Sequence, residues 1–259
     1  MKVLIRKVRT LGKILWAEIQ KISKPLSPEE VKFRQDRIEF LTLGGAISHE
    51  YKIIKDFADK AGTASGHYFH QDLLVASFIH SKAPDRHIDI GSRIDGFVAH
   101  VAAFRPIEVI DIRDLEQTGH NNIIFQRNDV MNTPNIPSEI TDSISCLHAI
   151  EHFGLGRYGD RIDPRGHIKG FNNILKMLKP SGTLYISFPI AKSNEIWFNA
   201  HRVFNPTDIF GWAEDRESIL LERFDYVDDE GNLNQNFDLK AHNLELTHGC
   251  GIYTFTKLR

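Results

Sequence analysis

Short apolar runs alternate with amphipathic stretches between residues 85 and 190, and this alternation predicts strands separated by helices. The helices are predicted over 95–104 and 165–178. Parallel strands need crossover connections of this kind, so the pattern indicates a parallel sheet with helices on both faces. The five predicted strands are 87–90, 108–112, 123–126, 143–147 and 183–188.

Two further β-like runs follow, at residues 217–227 and 250–257, and the polar segment between them has no helical stripe. Strands joined without a helix can pair antiparallel at one end of a sheet. The expected fold is therefore α/β, with a mostly parallel, doubly wound, seven-stranded sheet whose last strand is antiparallel.

The first part of the chain has helical patterns at 29–42, 46–61 and 70–81. Ser27, Pro28 and Glu30 have the spacing of a helix start with a capping box. We therefore divide the chain into an N-terminal helical extension, residues 1–82, and an α/β domain, residues 83–259.

Residues 1–24 carry seven lysines and arginines against the single acid Glu18, although the whole chain has a formal net charge of -2. Apolar residues every three or four positions give this segment one apolar helical face. Such a helix is expected to pack on its own domain or on a second copy of the chain in a homodimer. An anionic membrane surface is the alternative. Charges interrupt the apolar run, so a secretory signal is not expected.

The composition excludes several classes of protein. No stretch approaches the roughly 18 consecutive apolar residues of a membrane span. Cys146 and Cys250 are too few for a disulfide framework and suit a reducing compartment, so we expect a cytoplasmic location, with peripheral contact at the inner membrane face as the alternative. The isoelectric point of about 6.7 gives no reason to expect nucleic acid as a partner.

Glycine and acidic residues follow the predicted strands at the edge where such sheets bind ligands. The turn after the first strand, residues 89–96, reads DIGSRIDG, and a glycine there lets the backbone approach a ligand. The second strand ends at Asp111, whose carboxylate can accept hydrogen bonds from both ribose hydroxyls of an adenosine. Asn128 and Asp129 follow the third strand and could meet the adenine amino group. The alternative for Asp89 and Asp111 is that they cap nearby backbone amides.

With these residues in order, the sequence resembles class I S-adenosylmethionine-dependent methyltransferases over about residues 67–259. The resemblance rests on DIGSRIDG, on VIDI with Asp111, on NDV at 128–130, on LHAIEH at 147–152 and on LKPSGTLYISFP at 178–189. It implies a Rossmann-like fold and S-adenosylmethionine as cofactor. The residues expected to bind that cofactor are Asp89, Gly91, Ser92, Arg93, Gly96, Asp111, Asn128, Asp129 and His148.

Two positions depart from the family pattern, since Arg93 and Asp95 stand where the second and third glycines of the loop are usual. The Arg93 guanidinium could crowd the cofactor or bind its methionine carboxylate with two hydrogen bonds. Two alternatives to the methyltransferase therefore stay open. One is a catalytically silent scaffold with this fold, and the other is a Rossmann-type nucleotide-sugar enzyme that uses no methyl donor.

Candidate catalytic side chains follow the fourth and fifth strands. Transfer of a methyl group to oxygen requires removal of a proton, and a general base typically contributes about 10²–10⁴-fold. We expect His152 to be this base, with His201 as the second candidate and Glu151 beside them. Residues 201–204 resemble the His-x-x-Phe segment that many family members place over the active site. The alternative is that these histidines only bond to backbone.

A metal site is a further alternative. His148, Glu151, His152 and His201 resemble the Glu-x-x-Glu-His plus distant His pattern of some magnesium-dependent methyltransferases, with His148 in place of the first Glu. Magnesium prefers oxygen ligands, so this replacement weakens the case for magnesium and leaves room for zinc or manganese.

The expected acceptor is a small molecule or glycan. The segments GHYFHQDL at 66–73 and HFGLGRYGD at 152–160 resemble uncharacterised methyltransferase-like proteins encoded with enzymes of bacterial surface-polysaccharide synthesis. This resemblance implies a sugar hydroxyl, on a nucleotide sugar or a growing glycan, as acceptor. The side chains expected to contact it are Tyr68, His70, Arg157, Tyr158, Arg161 and Arg202.

Overall fold

The computed structural model describes residues 25–116, 119–131, 136–239, 241 and 244–259. The predicted basic helix at 1–24 lies outside the described residues, and so do its expected contacts with a second copy or a membrane. Within the described part of the chain, no helix has the length and apolar character needed to cross a bilayer. Contacts divide the chain into two units, Met1–Thr63 and Ala64–Arg259.

In the first unit, helix α1 spans Pro28–Thr42. The Ser27 hydroxyl accepts a hydrogen bond from the Glu30 backbone N–H at 3.2 Å, so the predicted helix start is confirmed. The predicted helix at 46–61 is wrong, because only a 3-10 turn, Lys55–Ala58, forms there. A short amphipathic helix is stable mainly when its apolar face is buried, and Ile53 is 64% exposed.

The second unit is built on a sheet with the strand order β3-β2-β1-β4-β5-β10-β8-β9. The neighbours from β3 to β5 pair in parallel, whereas β10 is antiparallel to both β5 and β8. The predicted α/β fold with an antiparallel final strand is confirmed. The strands of this sheet are β1 (His87–Ile90), β2 (Ile107–Asp111), β3 (Ile123–Arg127), β4 (Thr141–Leu147), β5 (Leu178–Ile190), β8 (Ile219–Val227), β9 (Leu233–Asn234) and β10 (Gly249–Lys257).

The sheet has eight strands rather than the predicted seven. The additional strand is β9, which turns back after β8 and pairs with it through only two residue pairs, so it leaves almost no pattern in the sequence. A separate hairpin, β6 (Glu195–Trp197) with β7 (His201–Val203), follows β5 and was also not predicted.

In the described part of this unit, three α-helices form: α2 (His67–Lys82), α3 (Ala99–Ala102) and α4 (Gly166–Met177). The predicted helix at 95–104 is shorter because Gly96 has non-helical backbone angles within the wide turn Ile94–Val98. Val75 and Ile79 of α2 are fully buried in the same apolar cluster as Val109. Helix α2 is therefore part of the α/β unit, which begins at Ala64 and not at the expected residue 83.

Apolar side chains cover both faces of the sheet, as expected for buried parallel strands. Along β5, Leu184 and Ile186 join the cluster that includes Phe171 of α4, whereas Tyr185 joins the cluster of α2. Because successive strand residues point to opposite faces, α4 and α2 cover opposite sides.

Within this core, His87 of β1 is buried between two hydroxyl groups. Its ring nitrogens lie 2.8 Å from Ser143 Oγ and 3.1 Å from Ser145 Oγ. Burial lowers the pKa of His87 to about 3, so the ring is neutral at pH 7.

This histidine predicts acid sensitivity. Its folded pKa lies below the unfolded value near 6.5, so its stabilisation is complete above pH 6.5 and is lost as the pH falls towards 3. We expect it to contribute a slope of about 1.4 kcal/mol per pH unit to the free energy of unfolding in this window. Urea titrations of the wild type and of His87→Gln test this, and the variant should have a shallower pH dependence by about one proton. Equal slopes would contradict the assignment.

Candidate functional site

A cavity of about 700 Å³ opens at the carboxyl ends of β1 to β5. The strand order reverses between β1 and β4, so the loops that follow these two strands diverge and leave a crevice there. The volume lies within the usual range for small-molecule sites. The site expected from the sequence is therefore where a ligand cavity forms.

Gly91 lines this cavity with a backbone conformation that favours glycine. Its φ is +71°, and an added Cβ would lie 3.0 Å from the Cβ of Ala149. Its N–H donates to the Ile110 carbonyl at 2.9 Å. The loop after β1 thus runs close to the loop after β4, and its backbone faces the cavity.

Asp89 and Ser92, by contrast, do not line the cavity, and their predicted contact with the cofactor stays a prediction. The buried Asp89 carboxylate accepts hydrogen bonds from the Ser92 N–H at 3.0 Å, from the Ser92 hydroxyl at 2.6 Å and from the Ser145 hydroxyl at 2.5 Å. Burial raises the pKa of Asp89 to about 6, against the opposing effect of these bonds. These bonds fix the loop after β1 on the side that faces away from the cavity.

Gly96 also lies outside the cavity lining. An added Cβ would meet Asp72 Oδ2 at 2.7 Å, so this glycine makes room for a buried carboxylate of α2. Burial raises the pKa of that carboxylate. Gly96 thus has a packing role, and its predicted role in cofactor binding stays a prediction.

Arg93 and Asp95, the two departures from the family pattern, both line the cavity. The Arg93 guanidinium donates to the Asp95 carboxylate at 3.1 and 2.9 Å and lies 5.2 Å from the Tyr68 ring. These contacts turn the guanidinium towards Tyr68 and Asp95, at the exposed rim.

Asp111 lies at the end of β2 and is nearly buried at the cavity wall. Its carboxylate accepts hydrogen bonds from the Arg113 backbone N–H at 2.8 Å and from Arg113 Nε at 2.9 Å, and it also pairs with Arg113 Nη2. The sequence analysis missed Arg113, although it stands only two residues after the strand-end acid. Its guanidinium lies 4.7 Å from the Tyr158 ring.

Asn128 and Asp129 line the cavity as expected. The Asn128 N–H donates to the Asp111 carbonyl at 2.9 Å, and its side-chain oxygen accepts from the Asp129 N–H at 2.9 Å. These bonds place the loop after β3 beside the end of β2.

A group of three ionisable side chains follows β4, and it consists of His148, Glu151 and His152. Glu151 Oε1 lies 3.1 Å from His148 Nδ1 and 3.5 Å from His152 Nε2. His152 Nδ1 donates to the Ala200 carbonyl at 2.7 Å. Because Nδ1 carries the proton in that bond, Nε2 of the neutral ring is unprotonated and can accept a proton beside the Glu151 carboxylate.

The charges of these three side chains are set by their burial and by their contacts with one another. Burial lowers the pKa of His152, and Glu151 only partly opposes this effect. Burial alone would raise the pKa of Glu151, but the hydrogen bond to His148 and the charge of His148 lower it. Burial also disfavours the charged form of His148, yet Cys250 and Glu151 outweigh it and raise that pKa well above the usual value.

More histidines surround the His148–Glu151–His152 group than the sequence analysis predicted. The ring of His201, on β7, lies 4.8 Å from Trp197 and 5.6 Å from His248. His67 stacks on His148 at 5.4 Å and on His248 at 5.6 Å. His67 and His248 line the cavity but were missed; His67 at least stands in the segment at 66–73, whereas nothing around His248 marks it.

Among the histidines and Glu151 at this side of the cavity, four polar atoms are buried without a hydrogen-bond partner in the described structure. Buried polar groups are nearly always hydrogen-bonded, so several unpartnered polar atoms close together indicate a binding place for a polar ligand. They are Nε2 of His148, of His201 and of His248, and Oε2 of Glu151.

The expected acceptor contacts fall into two groups. Tyr68, Arg157 and Tyr158 line the cavity, and Arg157 Nη1 donates to the Ala200 carbonyl at 2.8 Å. His70 and Arg161 do not line it, and their predicted substrate contacts stay predictions. His70 packs against the neighbouring Phe69 ring, and Arg161 is exposed on the loop.

Arg202 is 2% exposed and also lies outside the cavity lining, so its predicted contact with the acceptor stays a prediction. Its guanidinium donates to the carbonyls of Glu151 at 3.2 Å, Phe153 at 2.7 Å and Pro164 at 3.3 Å. It ties the loop after β4 to β7. Burial lowers the pKa of Arg202.

The predicted metal ligands do not gather around one point. Glu151 Oε1 contacts both His148 and His152, whereas the His201 ring lies 6.4 Å from the His152 ring. Among the described residues, the side chains that bring one ligand atom each within 4.8 Å of one another are His67, His148 and Cys250.

Comparisons with known proteins agree with the fold. A family model described as "Caenorhabditis protein of unknown function, DUF268" matches residues 120–256. No curated protein matches the chain.

Solved structures cover most of the chain at low identity. The [4+2]-cyclase SpnF is 17% identical with a TM-score of 0.52, over 90% of this chain and 98% of that one. A candidate sarcosine dimethylglycine methyltransferase from Galdieria sulphuraria is 15% identical with a TM-score of 0.53, over 86% and 98%. The 1,6-didemethyltoxoflavin-N1-methyltransferase of Burkholderia thailandensis, with bound 1,6-didemethyltoxoflavin and S-adenosylhomocysteine, is 13% identical with a TM-score of 0.50, over 92% and 93%. The predicted class I methyltransferase fold is confirmed.

Proposed function

This chain is a member of the DUF268 family, whose description names no activity, and we propose that it is an S-adenosylmethionine-dependent methyltransferase. The observation that carries the proposal is the cavity at the switch in strand order, with Asp111 at the end of β2 and the Gly91 backbone beside it. The fold alone does not decide the activity, since a [4+2]-cyclase has a similar structure.

The residues at this cavity fit the proposed cofactor. A carboxylate at the end of the second strand can accept hydrogen bonds from two ribose hydroxyls, and Asn128 or Asp129 can pair with an adenine edge. Ile112, Val130 and Met131 add an apolar surface for the base. When bound, S-adenosylmethionine supplies an electrophilic methyl group.

We further propose that the acceptor is a hydroxyl group. A neutral amine attacks with its own lone pair, whereas a hydroxyl gains most from a base that takes its proton during attack. His152 supports this proposal because its tautomer leaves Nε2 free and its lowered pKa keeps the ring neutral at pH 7. It would hold the proton that the hydroxyl loses.

A sugar hydroxyl, on a nucleotide sugar or a glycan, is the proposed acceptor class. Tyr68, Arg157 and Tyr158 line the cavity and offer the aromatic faces and cationic donors that bind sugar rings and phosphates. A role in surface-polysaccharide biosynthesis rests on the sequence resemblance at 66–73 and 152–160.

A catalytically silent scaffold is the second candidate, and one observation favours it. The Asp111 carboxylate is already bound by Arg113, so cofactor binding requires that Arg113 share or release it. A scaffold would keep this ion pair.

Calorimetry with S-adenosylmethionine and S-adenosylhomocysteine, followed by methyl-transfer assays on a panel of nucleotide sugars, tests the proposal. We expect saturable binding of one cofactor per chain and transfer to at least one sugar. Binding without transfer to any sugar would contradict the acceptor class only. Absence of binding by both compounds would reject the methyltransferase and leave the scaffold.

A further inference from the structure

Two imidazoles and a thiol meet where His67, His148, His201 and His248 line the cavity, although they come from three distant elements. His67 is the first residue of α2, His148 follows β4 directly, and Cys250 is the second residue of β10. One ligand atom of each lies within 4.8 Å of the others. We propose that these three side chains bind a zinc ion, which displaces any proton on the ligand atoms.

The donor set selects the metal. Two imidazole nitrogens and a thiolate suit zinc, whereas magnesium and manganese prefer oxygen ligands. In a tetrahedral site with bonds of about 2.0–2.3 Å, ligand atoms lie roughly 3.3–3.8 Å apart. Side-chain rotations that close the group by about one ångström are therefore sufficient, and His67 is only half-buried.

The surroundings of His148 are those of a metal ligand. Its side chain is 6% exposed, its Nε2 has no hydrogen-bond partner, and its Nδ1 bonds to the buried carboxylate of Glu151 at 3.1 Å. A histidine that binds a metal through one nitrogen usually donates its other N–H to a carboxylate or carbonyl, which fixes the ring. Glu151 supplies that partner.

The ion would reach the site through the cavity. His67 and His148 line the cavity, whereas Cys250 is fully buried behind them. Three protein ligands leave the fourth position of a tetrahedral zinc ion open, as in catalytic zinc sites. Because His67 and His148 line the cavity, we expect that position to be open to water or to an oxygen of a bound molecule.

The chain provides matched controls for both ligand types. Cys146 is the other cysteine and is equally buried, but it lies in the core cluster of α4, away from the three ligands. His70 lies on the same helix as His67 and does not line the cavity. Cys146→Ser and His70→Ala should therefore leave metal binding unchanged.

The experiment strips the full chain with a chelator and titrates it with Zn²⁺ and, separately, with Co²⁺, whose absorption reports on a thiolate ligand. We expect one ion per chain and a cobalt–thiolate charge-transfer band. Cys250→Ser should abolish that band, and both Cys250→Ser and His67→Ala should weaken zinc binding by at least about tenfold.

Absence of stoichiometric zinc binding, or equal binding by wild type, Cys250→Ser and His67→Ala, would overturn the proposal. Circular dichroism reports whether each variant folds. If Cys250→Ser does not fold, His67→Ala decides, because its side chain is half-buried at a helix start. S-Adenosylmethionine binding is measured on the same stripped protein, so failure of the zinc site and failure of the proposed function give different results.

Discussion

Replacing His152 with alanine is expected to slow methyl transfer by about 10²–10⁴-fold while S-adenosylmethionine still binds with wild-type affinity. The Nδ1–H bond to the Ala200 carbonyl fixes the ring so that Nε2 can accept a proton. Loss of the ring removes the base and leaves Asp111 and Gly91 in place. Single-turnover assays measure the rate, and calorimetry measures the cofactor affinity.

The pH profile tests the same assignment independently of the rate. Burial lowers the pKa of His152 from 6.5, so the base is unprotonated at pH 7 and the wild-type rate should fall only at more acidic pH. The alanine variant should lose this acidic limb. His80→Ala, which removes an exposed histidine on α2, is the control and should behave as wild type. Full turnover by His152→Ala would show that His152 is not the base, and His201→Ala would then be tested.

Asp111→Ala is expected to weaken S-adenosylmethionine binding by at least about a hundredfold. Hydrogen bonds to a charged group contribute about 1.5–3 kcal/mol each, and the carboxylate is expected to accept two from the ribose. The variant also leaves the Arg113 guanidinium without its partner inside the cavity, which adds to the loss. Calorimetry of the variant measures the change.

A second variant separates the two roles of Asp111. Arg113→Gln removes the arginine but keeps the carboxylate, so cofactor affinity should be retained or should rise. If Arg113→Gln loses as much affinity as Asp111→Ala, the ion pair itself is what the cofactor site needs, and Asp111 is not the ribose acceptor. Asp142→Asn, at the opposite end of β4, is the control for loss of a carboxylate.

Most strands of the large sheet were predictable because they carry a buried apolar run bounded by polar residues. The helix expected at 46–61 was not, since periodicity shows an apolar face but not whether anything covers it. Ile53 remains largely exposed there, and no continuous helix forms. β9 and the hairpin of β6 and β7 are too short to leave a period.

The location of the site was predictable from strand ends, but the direction of its side chains was not. Asp89 and Ser92 turn inward to each other, and Arg202 turns to backbone carbonyls, although all three stand near cavity residues. The proximity of His67 and His248 was also not predictable, because it depends on how α2 packs against the sheet that contains β10.

The position of β10 has a consequence for the order of folding. In the described sheet, β8 and β9 connect to the other strands only through β10, which inserts between β5 and β8. Pairings across such long sequence separations form late, because the entropy of closing the intervening chain must be overcome first. We therefore expect the β8–β9 pair to stay detached until residues 249–257 insert beside β5. That insertion also carries Cys250 to the cavity wall, so the sheet and the proposed zinc site would reach completion in one step.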